Sequence, residues 1–315
     1  MNELDPSISF LSKKGPTVLL IMDGVGLGEA VPSNAVHVAN TPFMDHYQKT
    51  ELYRTLKAHG SAVGMPSEDD MGNSEVGHNA IGAGRIVAQG ARLVKEAVES
   101  GALFEGDTWK QTVSYIKDNQ STLHLMGLLS DGNVHAHISH LLALLSAAKK
   151  DSVYRVRLHL LTDGRDVAEK SALNYISLLN KHIETLGDEM DIQIASGGGR
   201  MLVTMDRYNA DWPMVESGWQ LHVLGKGPQV ESAEAAIQSA YDELNVNDQY
   251  IPGFVVAKNG DPVGPIKDGD AVLFFNFRGD RAIEICKAFE DTDFEYFDRE
   301  RVPDVFFAGM TEYDG

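Results

Sequence analysis

Cysteine is all but missing: Cys286 is the only one in 315 residues, so no disulfide can close within the chain and no paired-thiol chemistry is open to it. It lies in RAIEICKAF beside Ile283 and Ile285 in a helical pattern, a setting expected to bury the thiol rather than use it. Positive charge is scarce as well. With 27 Lys and Arg against 46 Asp and Glu, the formal charge is −19, and the resulting field repels nucleic acid and anionic membranes, so neither is an expected partner. No apolar run is long enough to span a bilayer, and MNELDPSISFLSKKGP, ahead of Thr17, lacks a signal-peptide core. The expected location is the cytoplasm. Internal repeats and low-complexity linkers are likewise missing. What remains, 43% hydrophobic residues with Gly and Pro dispersed, is the composition of a folded protein long enough for two domains.

Short apolar runs alternate with longer segments of helical period. Strands are expected at Thr17 to Met22, Thr122 to Leu128, Arg155 to Leu161, Asp191 to Ala195, Ala271 to Phe277 and Val305 to Phe307. One helix face is marked by Ala168, Ala172, Leu173, Ile176, Leu179 and Ile183, and further helices by Leu93 to Ser100, Ile138 to Ala148 and Ala233 to Leu244. Such alternation gives an α/β fold with a mostly parallel sheet, whose ligands gather beyond the carboxyl ends of the strands. Regular alternation starts near Val87, which sets a provisional domain boundary there.

The strand ends carry the chemistry. The first runs into Asp23 and then Gly24, Gly26 and Gly28; a carboxylate at a strand tip suits a hard or borderline cation, and it also caps turns. The glycines are spaced GxGxG rather than GxGxxG, and no acidic strand end follows at the distance a dinucleotide site requires. In MGNSEVGHNAIGAG, Ser74 opens a helical stretch, where backbone amides could hold a phosphate on its hydroxyl; serine there is also a common helix cap. As a nucleophile it would need a base or a metal. Four later strand ends bring His135, then Asp163, Arg165 and Asp166, then Arg200 and Arg207, then Arg278 and Arg281. One arginine at a strand end reads as a surface ion pair, but five in so acidic a chain read as one pocket for phosphate and carboxylate. His135, His137 and His140 could be read as a metal cluster; His137 and His140 fit the first turn of a helix better, leaving His135 to contact substrate.

The motifs TVLLIMDGVG, MGNSEVGHNAIGAGR, LLSDGNVHAH, TDGRDV, GGGRMLVTMDRYNADW and FNFRGDRAIE, in this order, resemble those of the cofactor-independent (2,3-bisphosphoglycerate-independent) phosphoglycerate mutase family, over nearly the whole chain from Thr17. That resemblance implies an alkaline phosphatase-like domain interrupted by an inserted α/β phosphotransferase domain. Residues 1–86 would be the first part of the former, 87–310 the insert and 311–315 the start of the return. The implied activity interconverts 2- and 3-phosphoglycerate, in glycolysis and gluconeogenesis, through a phosphoserine. It assigns Asp23 and Ser74 to the metal site, Ser74 as the residue phosphorylated and Asp166 as general base and then acid. His135, Arg165, Arg200, Arg207, Arg278 and Arg281 would grip the glycerate. Two divalent ions are implied, manganese first, with cobalt or magnesium as alternatives, and so is a monomer. Family members carry further aspartate, histidine and lysine residues in a longer chain, whereas no histidine follows His222 here, so this polypeptide alone is expected to be inactive. A related phosphatase or phosphomutase would share the Asp23 and Ser74 logic without these arginines, and a non-catalytic anion-binding module would keep the arginines without Ser74.

Overall fold

The computed structural model describes residues 15–313. Two compact units divide at Leu56 and Lys57. In the smaller, α1 (Ala35–Val38) is capped by Asn34, whose side chain accepts from the amides of Val36 and His37, and α2 (Pro42–Tyr47) begins on a proline. The expected strand at Thr17 to Met22 is not formed. Its side chains are exposed, and a ladder needs a second strand, which the described residues of this unit do not supply. Asp23 and Gly24 instead occupy the middle of a turn closed by the Val25 amide donating to Met22 O at 3.3 Å, with Gly24 at φ 77°, where a side chain would be strained.

The larger unit opens with α3 (Ser74–Ala83), α4 (Gly90–Glu99), α5 (Ala102–Glu105) and α6 (Asp107–Asn119). The alternating part then runs β1 (Leu123–Leu129), α7 (Ile138–Lys150), β2 (Arg155–Thr162), α8 (Ala172–Leu186), β3 (Asp191–Gly199), α9 (Trp212–His222), β4 (Gln229–Val230) and α10 (Ala233–Ser239). It closes with β5 (Phe254–Lys258), β6 (Asp261–Pro262), β7 (Ala271–Phe274), α11 (Ile283–Glu290) and β8 (Phe306–Gly309). The sheet order is β4-β5-β3-β2-β1-β7-β8, with β6 on β5. Pairing is parallel except where β5 meets β3 and β6. The α/β architecture expected from alternation is therefore present.

Where the elements differ in extent, a local cause is visible. Helix α8 starts at Ala172 rather than Ala168 because the buried Asp248 carboxylate accepts from the amides of Ser171 and Ala172, fixing the first turn. Beyond Ser239 the chain widens into a π turn over Ala240–Leu244, so α10 is shorter than its apolar period suggests. The β7 ladder stops at Phe274, although Phe275 and Phe277 remain buried.

Strands β1 and β2 are buried on both faces apart from Arg155, which explains why they are mostly apolar; His124, Arg157 and His159 are the buried exceptions. One core lies under α6, α7, α8 and α10, with Leu125, Leu141, Leu144, Leu158 and Leu179 at its centre. The other lies under α9 and α11, around Met126, Trp219, Val272 and Phe274. Each such side chain contributes roughly 1.5–3 kcal/mol by leaving water. Cys286 belongs to α11 and is buried; burial, with Glu290 and Glu284 nearby, raises its thiol far out of the reactive range, in line with a packing role. The strand order reverses at β1: the chain goes outward through β2 and β3, then returns to β7 on the other side. The loops leaving β1 and β7 flank that switch, where an open α/β sheet leaves a crevice.

Candidate active site

Asp163 organises the loop after β2. Buried, it accepts from Ser130 Oγ at 2.6 Å, from the amides of Arg165 and Asp166 at 3.2 and 3.1 Å, and from Arg200 Nη1 at 2.8 Å. These bonds turn the backbone so that Asp166 faces the loop after β3. There Arg200 is almost wholly buried, a costly place for a guanidinium unless it is paired. Its Nη1 also donates to Asp166 Oδ2 at 2.5 Å, and its Nη2 lies 2.8 Å from His135 Nε2. Arginine can only donate, so His135 Nε2 accepts and the ring proton sits on Nδ1. Burial, followed by the charges of Arg200, Arg278, Arg281 and Arg207, holds His135 well below the usual histidine range, which keeps the ring neutral.

His135 Nδ1 points toward Asp280, 3.6 Å from Oδ1, without a hydrogen bond. The same carboxylate stands 3.1 Å from Arg278 Nε and 3.8 Å from Arg207 Nη1. Arg281 is buried and donates to Met205 O; burial first, then Arg200 and Arg207, lower its guanidinium value. Arg165 is exposed at the rim, with its charge within reach of Arg281. The five arginines and His135 foreseen from the sequence thus share one neighbourhood. Arg278 Nε and the Asp280 oxygens are engaged in ion pairs, whereas Arg200 Nε and His135 Nδ1 are buried and make no hydrogen bond. Buried polar atoms of this kind are rare unless a ligand or water completes them.

Ser74 is the first residue of α3, after the cap Asn73, whose Oδ1 accepts from the Val76 amide at 3.2 Å. Its hydroxyl is exposed and lies 3.2 Å from His78 Nδ1. That nitrogen is only 2.7 Å from Ser74 O, an acceptor, so Nδ1 carries the proton and His78 cannot take one from the serine in this arrangement. Helix α3 is tied to the cluster: Glu75 Oε2 lies 2.7 Å from Arg278 Nε, and Asn133 Nδ2 donates to Asp70 Oδ1 at 2.6 Å. Val63, Met65, Val76, Ala91, Val94 and Phe277 form a small core beneath. Gly72 cannot be replaced there, because a Cβ would fall 1.8 Å from Ala58 O.

The sequence did not single out Asp70, Glu75 or Asp280, the acidic partners of the cluster. Their only signal is adjacency to the motif residues, since which carboxylate faces which arginine depends on the fold. Asp23 belongs to the other unit. Among the described residues no group of three or more His, Cys, Asp or Glu side chains is placed to hold a metal ion, so those residues do not by themselves make a metal site.

Fold and site together define an α/β domain with a cationic cluster, suited to an anion, at the carboxyl end of a mostly parallel sheet. Residues 94–315 match the family described as BPG-independent PGAM N-terminus, and the chain belongs to that family. It is 51% identical over 317 residues to a probable 2,3-bisphosphoglycerate-independent phosphoglycerate mutase of Leptospira interrogans, covering 99% of this chain and 58% of that protein. Against the 2,3-bisphosphoglycerate-independent phosphoglycerate mutase of Trypanosoma brucei brucei the identity is 49%, over 95% of this chain and 55% of that one. A crystal structure of Leishmania mexicana phosphoglycerate mutase at low cobalt concentration superposes with a TM-score of 0.90 at 48% identity, over 94% of this chain and 55% of that chain. The chain therefore spans a little over half the length of these relatives.

Proposed function

We propose that this chain supplies the phosphoglycerate-gripping part of a 2,3-bisphosphoglycerate-independent phosphoglycerate mutase, together with the serine that carries the phosphoryl group between 2- and 3-phosphoglycerate. The observation that carries the reading is the gathering beside His135 and Asp280 of Arg200 and Arg207 from the loop after β3 and of Arg278 and Arg281 from the loop after β7. Arginine forks suit a ligand bearing both phosphate and carboxylate, and the orphaned donors Arg200 Nε and His135 Nδ1 offer it hydrogen bonds. On this reading Arg165, Arg200, Arg207, Arg278, Arg281 and His135 hold the glycerate.

Ser74 Oγ then forms the new P–O bond as the ester bond to the glycerate breaks, with the serine proton passing to the departing oxygen. In the second half the other glycerate hydroxyl attacks the phosphoserine and gives its proton to Asp166 as the phosphorus–Ser74 oxygen bond breaks, and Asp166 then returns that proton to the departing Ser74 oxygen, restoring both groups. Arg200 orients Asp166 for that exchange. A phosphoserine must be kept from water while the glycerate turns over, and a cleft lined by arginines at both ends of the ligand serves that need.

We assign Asp23 and Ser74 to a site for divalent ions, two in number and manganese by preference. The relative from Leishmania mexicana, studied with cobalt, supports the choice of ion class. Such ions would lower the pKa of the Ser74 hydroxyl, and ligands beyond Asp23 and Ser74 would be needed to complete the site. By the same reading residues 1–86 begin a phosphatase-like domain, 87–310 are the inserted domain and 311–315 start the return. The whole would act as a cytoplasmic monomer in glycolysis and gluconeogenesis. Among the described residues no helix is long and apolar enough to cross a membrane.

The test is Ser74→Ala in a chain of the relatives' full length. Loss of phosphoenzyme and turnover with 3-phosphoglycerate binding retained is the expected result; unchanged turnover would remove the nucleophile from the account.

A further inference from the structure

One polar chain runs through the sheet where apolar packing would be the simpler solution. Asp270 Oδ2 lies 3.1 Å from His124 Nε2, and His124 Nδ1 lies 2.9 Å from His159 Nε2. His159 Nδ1 is 2.7 Å from Ser196 Oγ, which is 2.7 Å from His222 Nδ1; His222 Nε2 is 3.0 Å from Thr204 Oγ1. All six side chains are buried. A shift in register between Leu158 and His159 places Ser196 opposite His159, so that the row continues across β3 instead of breaking there. Helix α9 then supplies His222.

The hydrogen positions follow by elimination. Asp270 is an acceptor: Thr122 N donates to Oδ1 and Lys267 N to Oδ2. His124 therefore donates from Nε2, and a neutral ring accepts at Nδ1. It follows that His159 donates from Nε2, Ser196 donates to His159 Nδ1, His222 donates from Nδ1 to Ser196, and Thr204 donates to His222 Nε2. Every bond points toward Asp270. One added proton, on His124 Nδ1, would reverse every bond beyond His124 and leave only the His124–Asp270 bond as it stands. Burial opposes that proton on each of the three histidines; on His124 the Asp270 carboxylate favours it, but burial, aided by Arg157 and Lys267, outweighs that pull and keeps the ring below the usual histidine range.

The far end of the row meets the arginine cluster. Thr204 is a β-branched residue at φ 67°, a conformation such residues rarely keep without an outside hold. It begins the turn in which Met205 O receives Arg281 and Arg207 follows. Gly218 of α9 makes room for it, since a Cβ there would stand 2.1 Å from Thr204 Oγ1. We propose that Asp270, acting through His124, His159, Ser196 and His222, is a positioning residue for the arginine pocket: it fixes the direction in which Thr204 donates and so anchors the left-handed turn leading to Arg207. The link to function rests on the pocket being an anion site; the direction of the row does not.

The experiment has two arms that separate these. Long-range proton–nitrogen correlation spectra of the chain labelled with [15N]histidine should show neutral rings protonated at Nε2 in His124, at Nε2 in His159 and at Nδ1 in His222. Any of the three in the opposite tautomer, or as imidazolium, near neutral pH overturns the proposal. In the second arm 3-phosphoglycerate is titrated calorimetrically. Thr204→Val should weaken binding by about tenfold, the scale of one buried hydrogen bond, while Thr204→Ser stays within about twofold of the parent. Equal binding by the parent and Thr204→Val, or equal loss in both variants, overturns the positioning role. Should Thr204→Val not fold, the tautomers of the parent still decide the matter. If the parent itself does not bind 3-phosphoglycerate, the pocket reading fails rather than the direction of the row.

Discussion

Arg278 Nε stands 2.7 Å from Glu75 Oε2, the carboxylate one residue beyond Ser74, so the helix that presents the serine is held by a guanidinium of the anion cluster. The contact joins the two halves of the proposed chemistry, and it also occupies an arginine that the ligand needs. Glu75 is 46% exposed, so the ion pair itself is worth at most about 1 kcal/mol. Glu75→Gln should leave the melting temperature nearly unchanged and tighten 3-phosphoglycerate binding by roughly two- to fivefold, because a competing carboxylate is gone. Calorimetric titration checks this, and weaker binding would count against the competition.

Arg200 and Arg207 should separate structure from binding. Arg200→Ala leaves Asp163 and Asp166 without their buried cation and should cost on the order of 3–5 kcal/mol in a urea titration. Arg207 is 41% exposed and 3.8 Å from its carboxylate partner, so Arg207→Ala should stay within about 0.5 kcal/mol while losing ligand affinity. Similar stability losses in the two variants would contradict this division.

Stability should fall on mild acidification. His124, His135, His137, His140, His159 and His222 are all held below the usual histidine value, with burial the first cause in each. The unfolded chain therefore takes up protons first as the pH drops, so the stabilisation is complete above the unfolded value of 6.5 and is lost below it. For His140, lowered to about 4, the loss is spread between those two values and amounts to on the order of 3 kcal/mol. Urea midpoints measured between about pH 8 and pH 5 should stay level and then fall; a midpoint that holds to about pH 5 would contradict this.

Much of this was legible in the sequence for identifiable reasons. Apart from Arg155, strands β1 and β2 are buried on both faces, so their mostly apolar composition stands out, and the arginines follow strand ends because open α/β sheets place ligands there. Strands β4, β5 and β6 were not foreseen: β4 and β6 are two residues each, too short to show a period, and β5 is an apolar run of only Phe254 to Ala257, which periodicity alone does not assign. The reading of Thr17 to Met22 as a strand followed composition, which cannot report whether a pairing partner exists. Asp280 and Glu75 were missed because their role lies in facing arginines distant in sequence, and the His124–His159–Ser196–His222 row because its members come from four elements and align only through a shift in strand register.

The central claim is that guanidinium groups from different loops act on one ligand. It is tested most directly by titrating 3-phosphoglycerate into Arg165→Ala, Arg207→Ala and Arg278→Ala, whose side chains leave the loops after β2, β3 and β7. The account expects a single site in the parent and a loss of affinity of roughly tenfold or more in each variant. Binding that survives in two of the three would contradict it.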